Sequence, residues 1–393
     1  MKCDVYLAGS CRTPVGSFCG AFGGVTAIEL GVTAVKGSLE RSGVPSDQID
    51  ETLIGNILSG GLKPNAARQI SIGSGIPDTV PATTVNMLCG SGMKTIVIAA
   101  QSIQSGDSDA ILAGGVENMS LAPYLLEQAR TGYRMGDGKI YDSLMRDALV
   151  DAFDGTHMGL CGDKAAERCN FSREDQDIYA ISSYKRALAA TDEGKFAKEI
   201  APVEVKGKRG SITIVDTDEE PQRFNEGKFT SLRPAFGKEG TVTAGNASSI
   251  NDGAAAVVVL SGEKVKSLGI TPEARILGYS QVGNAPEWFT LAPVEVLKKL
   301  MSKMEWTVDD VDLFEINEAF SVVPLAAMKE IGIPREKVNV NGGAVCMGHP
   351  VGASGTRVVV TLIHALKTYG KKTGIATLCI GGGQAIAIAI ELV

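Results

Sequence analysis

Three positions in the sequence pair a chemically capable side chain with a backbone that must turn tightly: Cys89, His349 and Cys379. Cys89 follows TTVNML and precedes Gly90-Ser91-Gly92, after which Met93 to Gln104 carries apolar residues at helical spacing. The thiol is therefore expected at a helix N-terminus, where bare N–H groups and the dipole favour a thiolate, lower the pKa and make a nucleophile. A small buried hydrophobe is the commoner use of a cysteine, but the flanking glycines favour the nucleophile. His349, one of three histidines, lies in CMGHPVGASG, where Pro350 fixes the backbone and glycines keep the surroundings open. It reads equally as a satisfied structural histidine or as a general base. Cys379 ends an apolar strand pattern and runs into Gly381-Gly382-Gly383, where bare N–H groups could form an oxyanion hole; a core cysteine beside a tight turn is the alternative. His364, on an apolar helical stretch, reads as a packing or surface residue.

Elements that would position these groups follow from short apolar runs bounded by turn residues: Val5 to Ala8, Glu51 to Leu58, Ala110 to Gly115, Ala274 to Tyr279, Asp312 to Ile316 and Ile375 to Ile380. Helical stretches alternate with them, which predicts a layered α/β architecture with parallel strand segments. A weak internal repeat sharpens this reading. MLCGSGMK leads through a helix to DAILAGGVE, and GHPVGASGTR leads through VVVTLIHALK to IATLCIGGG; upstream, ETLIGNIL matches VDLFEINEAF and puts Asn317 just after a strand. Residues 119–242 have no counterpart and read as an inserted lobe facing ligand and neighbouring subunits.

At 393 residues, with 44% hydrophobic and 21% charged residues, the chain reads as a packed protein of two core-bearing units. A net charge of -7 and the lack of a long basic run remove the electrostatic footprint of nucleic-acid binding. Eight cysteines without a CxxC pair fit reduced thiols and a cytoplasmic location, zinc spacing is absent, and no apolar run is long enough for a membrane span. CGSGMKT lacks the last glycine of a dinucleotide-binding GxGxxG, and no acidic residue follows at the expected place, which sets a nicotinamide dehydrogenase aside.

NMLCGSGMK, NEAF, GGAVCMGHPVGASG and LCIGGGQAIA resemble the four catalytic blocks of the thiolases. AGGVENMS, HMG at His157 to Gly159 and GTVTAGNASSINDGAA extend the likeness through the lobe, so it runs nearly end to end. The resemblance implies two pseudo-symmetric layered halves (α/β/α/β/α): residues 1–268, including a coenzyme A-binding loop lobe at about 119–242, and residues 269–393. It implies a Claisen condensation of two acetyl-CoA to acetoacetyl-CoA plus CoA, and the reverse thiolysis, with acetyl-Cys89 as intermediate. His349 would take the Cys89 proton, Asn317 would hold a water in the oxyanion site shared with His349, and Cys379 would remove the α-proton of the second substrate. A second oxyanion hole maps to the N–H groups of Cys89 and Gly381.

The same likeness maps coenzyme A and acyl contacts onto His157, Met158, Arg223, Lys228, Ser248, Phe289 and Phe320, though exposed solvation remains the plain use of the two cations. No tightly bound cofactor is implied. Cys161 departs from the family pattern after HMG, with an expected effect on local packing only. Phe289 stands where bacterial biosynthetic thiolases carry methionine; phenylalanine is similar to potassium-activated mitochondrial acetoacetyl-CoA thiolases, whose ion site maps to Tyr184, Ala244, Gly245, Ala247 and Val345. A homotetramer built as a dimer of dimers, with the loop Leu121 to Lys139 in contact, is also implied. Three neighbouring readings stay in view: a 3-ketoacyl-CoA thiolase of broader chain length, a ketoacyl synthase, against which Cys379 argues, and a non-catalytic acyl-binding relative, which would have lost the reactive residues present here.

Overall fold

The structure, a computed structural model, describes residues 4–393. The first half lays down β1 (Val5–Arg12), β2 (Gly16–Ser17), α1 (Ala27–Ser42), β3 (Glu51–Gly55), α2 (Ala66–Gly73), β4 (Ala82–Val85), α3 (Ser91–Ser105) and β5 (Ala110–Asn118). A lobe follows, with β6 (Tyr124–Leu125), β7 (Tyr141–Asp142), α4 (Met158–Arg168), α5 (Arg173–Asp192), β8 (Val203–Lys206) and β9 (Ile212–Val215). The chain returns through β10 (Asn251–Ser261) and α6 (Gly262–Leu268). The second half comprises β11 (Ala274–Gly283), α7 (Ala292–Met304), β12 (Leu313–Ile316), α8 (Val322–Ile331), α9 (Ala344–Met347), α10 (Val351–Thr368), β13 (Thr373–Ile380) and β14 (Gln384–Leu392).

The internal repeat is visible in the pairing. The first half runs β4-β3-β5-β10-β1 and the second β12-β13-β14-β11, with β3–β5 and β12–β13 parallel and the next two steps antiparallel in each. A parallel bridge from Phe314 to Val338 stands where β4 pairs β3. A short β1–β11 ladder, Tyr6 to Arg275 and Leu7 to Ala274, joins the halves into one ten-stranded sheet. Helices α1 and α2 cover the outside of the first half, α7 and α8 the outside of the second, and α3 and α10 lie between the halves. The α/β/α/β/α layering implied by the resemblance is the one the chain adopts.

Strands covered on both faces must be apolar on both. In β14, Ile386, Ile388 and Ile390 enter the central core while Ala385, Ala387 and Ala389 face the outer layer. In β10, Val257 and Val259 face the centre and Val258 and Leu260 face α1. The helix α10 is buried without a break from Val351 to Leu366, as a helix with sheet on both sides must be. Its first turn crosses α3 at glycine contacts: a Cβ on Gly92 would meet Thr356 N at 2.7 Å, and one on Gly355 would meet Met93 N at 2.3 Å. That approach brings together the two helix N-termini that follow Cys89 and His349.

The lobe is anchored by Arg12, fully buried at the end of β1, which pairs with Glu199 and reaches both oxygens of Asp218 at 2.7 and 2.9 Å. The strand expected over Glu51 to Leu58 stops at Gly55. Beyond it the Asn56 amide and the N–H groups of Ile57 and Leu58 turn onto the buried Glu117 carboxylate, at 2.8, 3.0 and 3.1 Å, and leave the ladder. The strands expected over Ala110 to Gly115 and Ala274 to Tyr279 instead run further, β5 to Asn118 and β11 to Gly283. No helix among the described residues is long and apolar enough to cross a membrane.

Candidate active site

Cys89 sits on a strained turn between β4 and α3. Leu88 adopts φ 47°, a left-handed conformation that an ordinary side chain resists, and the turn is tied down around it. Asn86 Oδ1 accepts from Leu88 N at 3.0 Å, and Ser91 Oγ accepts from Met87 N at 2.8 Å while donating to the Leu88 carbonyl at 2.6 Å. The sharp turn aims the thiol between the halves. The expectation of a lowered pKa is corrected: burial pushes the Cys89 thiol up to about 11, against the pull of the Gly381 N–H and its own N–H. A helix N-terminus supplies partial charge, but removing water from a thiolate costs more. Cys89 therefore rests as a thiol and needs a base.

His349 carries a ring nitrogen able to accept a proton, and its tautomer is set by its partners. Its Nδ1 lies 2.6 Å from Ser354 Oγ, and the Ser354 hydroxyl donates to the Pro350 carbonyl at 2.9 Å. With its one hydrogen so engaged, Ser354 accepts from Nδ1–H, which leaves Nε2 as the accepting nitrogen. Asn317 Nδ2 lies 3.4 Å from Nε2, while its Oδ1 accepts from Arg357 at 3.1 Å. The backbone N–H of His349 is held by Asn251 Oδ1 at 2.9 Å. Burial, reinforced by the Arg357 charge, pushes the imidazole down to about 3, so the neutral form able to accept a proton is the resting one.

Cys379 ends β13 in full burial, with its thiol pushed well up by burial and by any charge on Cys89. A charge on either sulfur thus opposes ionisation of the other. Gly381 and Gly382 border a groove of about 620 Å³, shared with Leu88, Met158, Arg146 and Phe153. A Cβ on Gly381 would meet Met158 Cε at 2.3 Å, so a side chain there would have to push the end of Met158 aside.

Met158, Phe289 and Phe320 are gathered into one buried cluster with Cys379. His157 caps α4 by accepting from Gly159 N at 3.0 Å and stacks on Phe236, which meets Phe320 edge-on at 6.3 Å. The backbone of Ser248 bonds to Ala319 at 2.9 Å, beside Phe320. Arg223 and Lys228, in contrast, lie exposed on the lobe surface, and Arg223 faces Glu219 and Glu220. Cys161 packs into the same buried cluster as Met158. His364 is buried, with Nε2 3.1 Å from Ser10 Oγ and well away from the catalytic groups in the helix.

Tyr184 stacks on Phe224 and meets Phe229 edge-on, and Phe229 backs onto Gly245 and shares its cluster with Val345. Of the suggested ion-site residues, Tyr184, Gly245 and Val345 thus gather around Phe229, while Ala247 lies in the cluster of Phe320. Their donors, one phenol and main-chain carbonyls, are the neutral oxygens that suit a weakly charged hard cation. No cluster of His, Cys, Asp or Glu that could hold a metal occurs among the described residues.

Sequence reading passed over Ser354, Arg357 and its partner Glu315, which lie 2.9 Å apart and nearly fully buried. It also passed over Glu117, which accepts from Gly352 N at the start of α10 and is pushed up to about 7 by burial. Ser354 stands five residues after His349 and offered a local signal; the Glu315–Arg357 pairing is tertiary and offered none.

Residues 5–263 match the family described as thiolase, N-terminal domain, and residues 270–392 match thiolase, C-terminal domain. The chain is 46% identical to an acetyl-CoA acetyltransferase of Chromobacterium violaceum over 99% of each. It is 48% identical to one of Yarrowia lipolytica, covering 99% of this chain and 96% of that one. Its structure is similar to the crystal structure of the Bacillus anthracis acetyl-CoA acetyltransferase, with TM-score 0.97, 41% identity and coverage of 100% and 99%. A thiolase from Ascaris suum in complex with coenzyme A matches with TM-score 0.94 and 44% identity over 99% and 100%.

Proposed function

The chain belongs to the thiolase family, and from that membership together with the site we infer that it condenses two acetyl-CoA to acetoacetyl-CoA and CoA, and runs the reverse thiolysis. The observation that supports the assignment of roles is the buried Cys89 thiol, met by the Gly381 N–H, in a fold that also holds a buried histidine whose Ser354 bond leaves Nε2 as the accepting nitrogen.

The proton inventory closes. As Cys89 attacks the first thioester, its proton passes to His349 Nε2, and the tetrahedral oxyanion takes the N–H groups of Cys89 and Gly381. The bond to the coenzyme A sulfur breaks, and that sulfur takes the proton of Cys379. Acetyl-Cys89 carries no charge to oppose ionisation of Cys379, so the Cys379 thiolate and the His349 imidazolium form as a pair. Cys379 then removes the α-proton of the second acetyl-CoA, while His349 Nε2–H and the water held by Asn317 receive the enolate oxygen. The enolate attacks acetyl-Cys89, and the departing Cys89 sulfur recovers its proton from His349.

On this reading His157, Met158 and Ser248 border the coenzyme A arm, and the exposed Arg223 and Lys228 offer cations to its phosphates. Phe289 and Phe320, both buried, keep the acyl pocket short. Tyr184 with the carbonyls of Ala244, Gly245, Ala247 and Val345 would hold a potassium ion, which would stiffen the lobe against the Val345 segment. One assay tests both points: loss of acetoacetyl-CoA on addition of CoA, in potassium and in sodium chloride at equal ionic strength. Cleavage in both, faster in potassium, is expected. No cleavage by folded protein would overturn the short-chain reading, and equal rates would remove the potassium site alone.

The segment 121–140 exposes Leu121, Tyr124, Leu126, Met135 and Ile140, an apolar set that supports its burial against another subunit. Light scattering should give a tetramer; a monomer would reject the assembly.

A further inference from the structure

An asparagine amide has two ends of nearly equal size and opposite hydrogen-bonding sense, and which end faces a reacting group decides whether it donates or accepts. Asn317 is fully buried at the end of β12, and solvent cannot set its orientation. Arg357, two turns into α10, does so by chemistry. Its guanidinium only donates, and it donates to Asn317 Oδ1 at 3.1 Å, which turns Nδ2 toward His349 Nε2 at 3.4 Å. The guanidinium is itself fixed, because its other terminal nitrogen donates to Glu315 Oε1 at 2.9 Å. Glu315 and Asn317 are alternate residues of one strand and its continuation, so both point to α10, and the planar fork spans them.

We propose that Arg357, clamped by Glu315, is a positioning residue that holds the Asn317 amide with its N–H toward the oxyanion site of the second substrate. The proposal rests on the reading of Asn317 given above. Stability alone is a poor reason for the pair, whose two side chains are each 3% exposed, because buried ion pairs are often no more stabilising than apolar residues of similar volume. The position beside Asn317 supplies the reason. Loss of the clamp frees the amide to rotate or withdraw, which costs the donor in the step that forms or consumes the enolate. Exchange of labelled CoA into acetyl-CoA, which passes only through acetyl-Cys89 and the hole formed by the Cys89 and Gly381 N–H groups, does not use that donor.

The test compares those two reactions in the full-length double variant Arg357→Met/Glu315→Leu, which removes the pair without leaving a buried charge. The kcat of acetoacetyl-CoA thiolysis is expected to fall about 10- to 100-fold, toward the loss typical of one oxyanion donor, with exchange and KM within about threefold of wild type. Adding Asn317→Ala to the double variant should bring little further loss, since both changes remove one function. Equal falls in exchange and thiolysis would mean a merely structural role and overturn the proposal. An unimpaired double variant beside an impaired Asn317→Ala would also overturn it, whereas a harmless Asn317→Ala would overturn the reading of Asn317 itself. Should the double variant fail to fold, Arg357→Lys decides by the same ratio, because a point charge cannot span Glu315 and Asn317 together.

Discussion

Cys89→Ala is expected to lower acetoacetyl-CoA thiolysis by about 10⁴-fold or more, the scale of losing the nucleophile in covalent catalysis. No other group can take its place. Cys379, the other thiol in the scheme, lies fully buried near the end of β13, and the Gly381 N–H meets the Cys89 sulfur. The fold should survive the change, since removing one small buried sulfur costs about 1 kcal/mol, within the usual range for a point substitution. The turn that strains Leu88 is held by Asn86 and Ser91, neither of which bonds to the thiol. Circular dichroism and thermal unfolding close to wild type, with activity lost, are the expected pair of results. Substantial thiolysis by the folded variant would remove Cys89 from the reaction.

Cys379→Ala is expected to stop the reaction one step later. Condensation should fall by about 10³-fold, the order assigned to a positioned general base. Acetyl-Cys89 should still form, because its formation needs His349 to take the Cys89 proton and the two N–H groups to hold the oxyanion, none of which changes. The coenzyme A thiolate leaves with less help, so acetylation slows, but the acetyl-enzyme then has no route onward to acetoacetyl-CoA and accumulates. Intact-protein mass after mixing with acetyl-CoA reads this directly. A variant that condenses at near the wild-type rate, or one that never becomes acetylated although folded, would contradict the division of labour between the two cysteines.

Much of this site was legible in the sequence because backbone and chemistry coincide there. Glycines around Cys89 and His349 mark the close crossing of α3 and α10, and the repeat placed Asn317 after its strand. What stayed hidden depends on burial or on partners remote in sequence. A cysteine at a helix N-terminus promised a low pKa, and desolvation reversed the sign. The strand after Glu51 looked continuous to Leu58, yet Glu117, some sixty residues on, draws its last N–H groups away. Arg357 resembles any helical arginine until Glu315 and Asn317 are seen beside it. The ligand contacts divide on the same principle: Met158, Phe289 and Phe320 could be gathered by packing, whereas Arg223 and Lys228 sit on turns where sequence alone fixes no direction.

The central claim is a covalent acetyl group on Cys89, and it is tested by mixing the protein with acetyl-CoA alone, quenching in acid and mapping the acetyl group by peptide mass spectrometry. One acetyl group on the peptide that contains Cys89, discharged by added CoA, is the predicted result. An acetyl group on a different residue, or none on folded protein, would contradict the account.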